Sequence, residues 1–453
     1  MQHRQNTPMA RPPSHFRSSH FYNRGRRVFP AGVTRVTVDR EPTPLYIARG
    51  EGAHVTDVDG NRFLDLNNNF TTLIHGHGFL PVAEAVGDLL HRGTCFSNPT
   101  EHEIALAELL IERIPALEHV RFVNSGTEAV MFAIKAARAY TGRPGVVRIE
   151  GAYHGAYDWA EAGQSGSPVT WGPESKPVTV AAYHGTPSSV ISDVAVTRFN
   201  DIAGLTRLLD EVAHRTACIL IDPMPSRAGL LAPRPDFMAA VQSLARQHGL
   251  LVVADEVLNL RQSYRGASAR YGLHPDLIAC GKIIGGGFPV GAIGGSRDVM
   301  TVFANDKGRP LLPQGGTFSA NPVSMVAGRI AMEAMTEEAF EALDAFGEAI
   351  RASLREEIDR TGAPFSVTGA ASLFRIHPKK TEPVDFRSGY PNGAESAVSK
   401  ALCDHFLQNG ILLPNGAAAC LSTAMTASDA DTIVNTFATF LSSPFVHGLE
   451  AAQ

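Results

Sequence analysis

The stretch "ACGKIIGGGFPVGAIGG", Ala279 to Gly295, places one lysine in a run with no other charge. Lys282 is also the only lysine between Lys176 and Lys307, in a chain that otherwise prefers arginine. Such a side chain either lays its stem along apolar surface with its head in water, or it is desolvated. A desolvated lysine has a lowered pKa and acts as a nucleophile or imine former. Upstream of it, "GVVRIEG", "ACILIDP" and "LLVVADEV" are β-branched runs separated by helical lengths, with the apolar stripe of "DFMAAVQSLARQHG" between the last two. "HVRFVNSG" reads as a strand entering a glycine turn, and "TEAVMFAIKAARAYTG" as a helix ended by Gly142. Strands and helices in this alternation predict an α/β fold whose mainly parallel sheet is covered on both faces.

Outside this core, "TPLYIARGEGAHVTDVDGNRFLDLNNN" predicts a small antiparallel meander, with Asp59-Gly60 as its hairpin signal. The organisation expected is a flexible arm over 1–28, the N-terminal part of a small domain over 29–80, a large domain over 81–330, and a C-terminal small α+β domain over 331–453. The arm contains no Asp or Glu and many Arg, yet prolines at 8, 12 and 13 interrupt any transit-peptide helix. The chain has 453 residues, 44% of them apolar, enough for a large core in two or three lobes. A net charge of -5 argues against nucleic acid as a partner. No run approaches the roughly 18 apolar residues of a membrane span. The cysteines, Cys95, Cys218, Cys280, Cys403 and Cys420, are odd in number and scattered, which suits a reducing cytoplasm.

Three features carry chemistry. "NSGTEA", Asn124 to Ala129, puts hydroxyls and backbone N–H groups at a helix start, as a phosphate site or an ordinary N-cap would. Asp255 ends a buried strand, where open α/β sheets hold ligands. It needs a cationic partner, whether a ligand or an arginine such as Arg261. No metal site is expected, since acidic or histidine ligands with convincing spacing are missing, and "HGHG" at 75–78 reads as a turn. A phosphate cradle, a strand-end carboxylate and a lone lysine together have one economical explanation, pyridoxal phosphate. The lysine forms the imine, the aspartate keeps the pyridine nitrogen protonated, and the helix start holds the phosphate. Tyr153, in "EGAYHG", is placed to stack on the ring.

From Phe29 to Leu441 the chain resembles the class III, fold-type I aminotransferases, in the branch of glutamate-1-semialdehyde aminomutase and β-amino-acid transaminases. The resemblance is carried by "DVDGNRFLDL", "RFVNSGTEAVMFAIKAAR", "EGAYHG", "ADEV", "PDLIACGKIIGGGFPVGAIGG" and "GTFSANPVSMVAG", in the family's order. It implies a seven-stranded-type sheet in the large domain. It also implies that Lys282 is the Schiff-base lysine and proton shuttle, that Asp255 pairs with the pyridine nitrogen, and that Val257 packs on the ring face opposite Tyr153. Ser125, Gly126 and Thr127 would bind the phosphate, joined by Thr317 of a second subunit, so a homodimer with shared sites is expected. His154 and Glu128 would lie beside the site.

Transaminase and aminomutase share this constellation and differ in substrate contacts. Mutases of the family show a serine after the N-terminal "PGG" turn, where this chain reads "FPAGVTRVTV" with Arg35. The β-amino-acid transaminases resembling this chain carry an arginine there, suited to grip a substrate carboxylate. Otherwise Arg35 is a surface arginine on an edge strand. The mutase "PSxFE" stretch is "LPNGAAACLS" here, with Ala418 in place of the glutamate, and "SRAG" puts Arg227 near the ring as a second carboxylate candidate or as a partner to the cofactor oxygen. The long Gly-, Ser- and Pro-rich insertion 157–189 points the other way, since it resembles the mutase gating loop. The balance favours amino transfer from a carboxylated amine to an α-keto acid in the cytoplasm. Intramolecular amino transfer is the alternative, and a non-catalytic binding module, which would carry an appended DNA-binding region, ranks last.

Overall fold

A computed structural model describes residues 16–38, 41, 43–306 and 308–446. The meander forms as expected: β1 (Ile47–Glu51), β2 (His54–Asp57) and β3 (Arg62–Asp65) pair antiparallel in order, and Gly60, whose φ is 90°, turns β2 into β3. The large sheet contains β4 (His119–Val123), β5 (Gly145–Ile149), β6 (Val194–Thr197), β7 (Thr216–Ile221), β8 (Leu251–Asp255), β9 (Leu277–Gly281) and β10 (Gly291–Gly295). Its seven strands run in the order β4-β10-β9-β8-β7-β5-β6, all parallel except β10, which pairs antiparallel with both β4 and β9. Towards the C-terminus, β11 (Ser366–Thr368), β12 (Leu373–His377) and β14 (Ala418–Cys420) form an antiparallel sheet. The short β13 (Ile411–Leu412) joins β3 in parallel, so the first sheet is built from both ends of the chain.

The period of two along each central strand divides the core into two faces. Val146, Leu220, Val253 and Ala279 pack with Ala129, Ala133 and Ala137 of the helix Gly126–Thr141. Their neighbours Val147, Ile219, Val252 and Ile278 face Phe237, Met238 and Val241 of the helix Pro235–His248. Small alanines on the first helix bring its N-terminus close to the strand ends. That helix stops at Gly142, which is left-handed (φ 70°) and gives its N–H to Arg138 O.

The strand β10, "GAIGG", has no strand signal in its residues, because glycine disfavours strands. It is wholly buried, and a Cβ on Gly291 would sit 2.1 Å from Ser125 O. Close approach of the Ser125 turn requires the glycine. Within the segment assigned to the arm, Phe16–Gly25 is helical, and the Arg17 and Ser18 N–H groups bond the Asp59 carboxylate (2.7 and 2.9 Å). Residues 1–15 of that arm lie outside the described residues. No helix among the described residues is long and apolar enough to cross a membrane.

Candidate active site

The parallel strands and β4 all end at one edge of the large sheet, and each expected site residue of the large sheet follows one of these ends. Lys282 directly follows β9. Its φ of 51° is left-handed, a conformation that costs a side-chain-bearing residue about 1–2 kcal/mol. The extended Gly281 before it and the left-handed Gly286 and Gly287 after it turn the chain back into β10. The amine is desolvated, and this brings its pKa down to about 8 against the opposing pull of Asp255, Cys420 and Asp222. Of the two possibilities for a lysine in an apolar run, the surroundings of the amine favour the desolvated one, although the residue as a whole is half-buried.

Asp255, buried at the end of β8, does not pair with Arg261. Its Oδ2 lies 2.8 Å from His154 Nδ1, and its Oδ1 accepts the Val257 N–H (3.0 Å). Burial lowers the His154 pKa more than Asp255 raises it, so the ring is neutral and donates from Nδ1. His154 Nε2 is buried without a partner. The loop carrying Tyr153 and His154 is held by Arg148, which sequence reasoning missed. This arginine is fully buried in β5 and donates to the carbonyls of Ala152, Ala160 and Ala162. Desolvation, helped by the nearby Arg227, brings its pKa down to about 9. The available signal was a charge inside a β-branched run.

The turn Asn124–Thr127 joins β4 to the long helix. Ser125 caps the helix by accepting the Glu128 N–H (3.2 Å), and Glu128 returns its carboxylate to the Asn124 N–H (3.0 Å). The first intrahelical bond runs from Ala129 N–H to Ser125 O, so the Gly126 and Thr127 N–H groups precede it and face out. A Cβ on Gly126 would lie 2.6 Å from Val257 Cγ1, and one on Gly281 3.3 Å from the same atom. Thus Gly126, Val257 and Gly281 close on one another at the strand ends. Thr127 Oγ1 accepts the Ala156 N–H (3.3 Å), and the left-handed Gly155 passes against it.

Two further polar groups line the base. Asp222, buried after β7, accepts from the Met224 N–H (2.9 Å) and from Asn259 Nδ2. Desolvation and the nearby Asp255 push its pKa well up. Asn259, also buried, continues through Gln262 to the Tyr271 hydroxyl. Asp222 closes the β-branched run "ACILIDP", while Asn259 has no local signal.

Of the remaining candidates, Tyr153 is 49% exposed, and the exposed Arg227 guanidinium lies 5.0 Å above its ring. Arg35 is exposed and donates to Asn69 Oδ1 (3.1 Å). Thr317 is exposed in the "GGTFSA" turn, its carbonyl 4.0 Å from Cys95 Sγ. The insertion 157–189 packs through Trp171 against Phe386 and Tyr390. His77 of "HGHG" bonds Asp65 (2.8 Å), and no metal-binding cluster occurs among the described residues.

A desolvated amine, a strand-end carboxylate and free helix-start N–H groups, together with the unpartnered His154 Nε2, fit pyridoxal phosphate. The comparisons agree. Residues 36–440 match the family model for class III aminotransferases. Glutamate-1-semialdehyde 2,1-aminomutase of Desulforudis audaxviator is 38% identical over 379 residues, 82% of this chain and 85% of that one. An omega-transaminase from Sphaerobacter thermophilus superposes with a TM-score of 0.92 at 46% identity, covering 94% of this chain and 97% of the other. A β-phenylalanine aminotransferase from Variovorax paradoxus gives 0.85 at 30% identity, covering 96% and 94%.

Proposed function

This chain belongs to the class III aminotransferases, and from that premise we propose that its amino donor is a carboxylated amine of the β-amino-acid type and its acceptor an α-keto acid. The enzyme is pyridoxal-phosphate-dependent. When bound, the cofactor supplies an aldehyde carbon for the amine and a ring that takes up the electrons of the broken C–H bond. On this reading Lys282 attaches the cofactor and, once freed by the donor amine, moves a proton from the substrate carbon. A pKa of about 8 leaves enough of its amine neutral at physiological pH to act as that base. Asp255, steadied by His154, faces the ring nitrogen, and Val257 and Tyr153 pack on opposite ring faces. Ser125, Gly126 and Thr127 hold the phosphate. The exposed Thr317 completes the phosphate site of a second copy, which makes the working unit a homodimer. Five free cysteines support a cytoplasmic setting.

The observation that carries the donor class is Arg35, a guanidinium on the turn Asn69–Phe70, set against the uncharged Ala418 of β14. Arg227 over Tyr153 is the second cation available to a carboxylate. Mutase-type intramolecular transfer is the competing reading, supported by the named aminomutase relative. A single-turnover absorbance experiment with α-, β- and ω-amines and no keto acid separates them. Stoichiometric conversion of the cofactor to its amino form, with release of one oxo acid, supports the transaminase and names its donor class. An isomerised amine with the cofactor returned to its aldehyde form would establish the mutase.

A further inference from the structure

After β3 the segment Asn68-Asn69-Phe70-Thr71 has φ values of 46, 50, 54 and 73°, four consecutive non-glycine residues in the left-handed region. Side chains carry a steric cost there, and single residues rather than runs are the rule. Such strain persists only where the surroundings enforce it, and it concentrates at functional sites. Here the enforcement is explicit. Asp65 Oδ1 accepts the Asn67 and Asn68 N–H groups (2.8 and 3.1 Å), while its Oδ2 is held by His77. The buried Asn68 amide donates to Asp65 O (3.0 Å) and to Cys420 O (3.1 Å) on β14. Asn67 Oδ1 accepts the Phe70 N–H. At the far end Arg261 donates from Nη1 to Thr71 O (3.1 Å).

Arg261 is itself unusual. It is 1% exposed, and it donates to neutral groups: Thr71 O, Leu421 O and Ser372 Oγ (2.9 Å). It bridges the large-domain segment after β8 to the turn and to the chain after β14. Both Arg261 and Cys420 lie within electrostatic reach of the Lys282 amine. A Cβ on Gly287 would lie 3.2 Å from Leu73 Cδ2, so the turn borders the lysine segment. Asn68 is bolted inward. Asn69 and Phe70 are turned outward, both exposed, and both touch Arg35: the amide oxygen accepts from Nη1 (3.1 Å), and the guanidinium carbon lies 5.9 Å from the ring centroid.

We propose that this left-handed turn is a specificity device, in which Asn69 and Phe70 aim the Arg35 guanidinium at the carboxylate of the amino donor. Arg261 acts as the positioning residue that locks the turn beside Lys282. The inference rests on the reading of Arg35 given above. Its physical content is pre-organisation: a long flexible side chain held before substrate arrives has less freedom to lose on binding. One amide contact and one ring face restrict Arg35 while leaving its other donors for a planar carboxylate.

The test uses the holoenzyme with two donors, the best carboxylated amine from the panel and its counterpart with hydrogen in place of the carboxylate. The readout is the ratio of their kcat/KM values, which a general loss of folding does not move. Asn69→Gly removes the amide contact yet relieves strain, since glycine takes φ 50° freely. The proposal expects this variant to lose roughly tenfold in the ratio through KM of the carboxylated donor, with kcat kept. Arg35→Ala should lose on the order of a hundredfold, and the double variant should be no worse than Arg35→Ala alone. Arg261→Lys, which cannot reproduce the fork to Thr71, Ser372 and Leu421, should match Asn69→Gly. If Arg35→Ala lowers the ratio but Asn69→Gly and Arg261→Lys do not, the turn has no aiming role and the donor assignment stands. If Arg35→Ala leaves the ratio unchanged, the donor assignment fails, and the turn's role fails with it.

Discussion

His154 Nδ1 lies 2.8 Å from Asp255 Oδ2, in a pocket where both side chains are buried and the other imidazole nitrogen has no partner. The histidine gives Asp255 a neutral donor rather than a cation. The aspartate's negative charge therefore remains available to the ring nitrogen of the cofactor. Asp255→Asn should lower kcat on the order of a thousandfold by removing that charge. His154→Leu should cost ten- to a hundredfold, because it leaves a buried carboxylate short of one hydrogen bond. His154→Gln, which retains a donor, should fall less than tenfold. Steady-state kinetics with cofactor content measured alongside checks all three, and equal losses for Leu and Gln would remove the hydrogen bond from the argument.

Lys282 makes stability depend on pH in a definite direction. Its amine titrates near pH 8 in the folded chain, against 10.5 for an ordinary lysine. Between those values the unfolded chain binds more protons than the folded one. Stability of the cofactor-free protein therefore carries its full penalty below pH 8 and recovers as pH rises towards 10.5. Lys282→Met lacks this slope. In thermal melts of the stripped proteins, the methionine variant should exceed the native Tm most at pH 7, and the gap should close by pH 10. A constant gap would mean that the lysine is solvated. The rate of cofactor reattachment to the native protein should rise through the same pH 8 inflection.

Backbone contact sets the tolerance of the glycines. A Cβ on Gly291 meets Ser125 O at 2.1 Å and Ser125 C at 2.6 Å, neither of which can rotate away. Gly291→Ala should destabilise the fold by about 1–3 kcal/mol. It should also weaken cofactor retention, because the displaced residue caps the phosphate helix. Gly87, inside the helix Leu80–Leu90, has nothing beyond its own helix backbone and chain neighbours within 4 Å of its Cβ position. Gly87→Ala should stabilise by about 0.5–1 kcal/mol. Urea denaturation of the two variants gives the comparison, and a similar sign for both would undo it.

Local signals made much of this legible. The Asp-Gly turn, the β-branched runs of β5, β7 and β8, and the helix stop at Gly142 are short-range features, and each appears where the residues indicate. The constellation of Lys282, Asp255 and the Ser125 turn was legible for the same reason, since each occupies a strand end. What escaped depends on distant partners. Asp255 finds His154 across 101 positions, so Arg261 was an equally good candidate on paper. Arg148 announces a buried charge, but nothing local says that it is satisfied by carbonyls of the following loop. Three consecutive asparagines permit a left-handed turn. Cys420 and Arg261, far along the chain, complete the local hold of Asp65 and Asn67 on it.

The insertion 157–189 resembles a gating loop, yet its anchoring argues for a fixed wall. Arg387, from the C-terminal segment, makes a two-pronged pair with Glu150: Nε to Oε2 and Nη2 to Oε1, both 2.8 Å. Its remaining donors reach Gly172 O (2.8 Å) and Trp171 O (2.9 Å), and its guanidinium lies 5.0 Å from the Trp171 ring. Both charged side chains are buried, at 7% and 3% exposure, so removing one strands the other. Arg387→Ala should cost about 3–5 kcal/mol and release the insertion from the C-terminal lobe. Arg387→Lys retains the charge without the fork and should release it in part. Limited proteolysis resolves the point: the alanine variant should be nicked between residues 162 and 187 under conditions that leave the native chain whole. Since Glu150 lies three residues before Tyr153, the nicked enzyme should also hold its cofactor less tightly. If the native chain is cut as fast as the variant, the insertion opens with its anchor intact, and a gate becomes the better description.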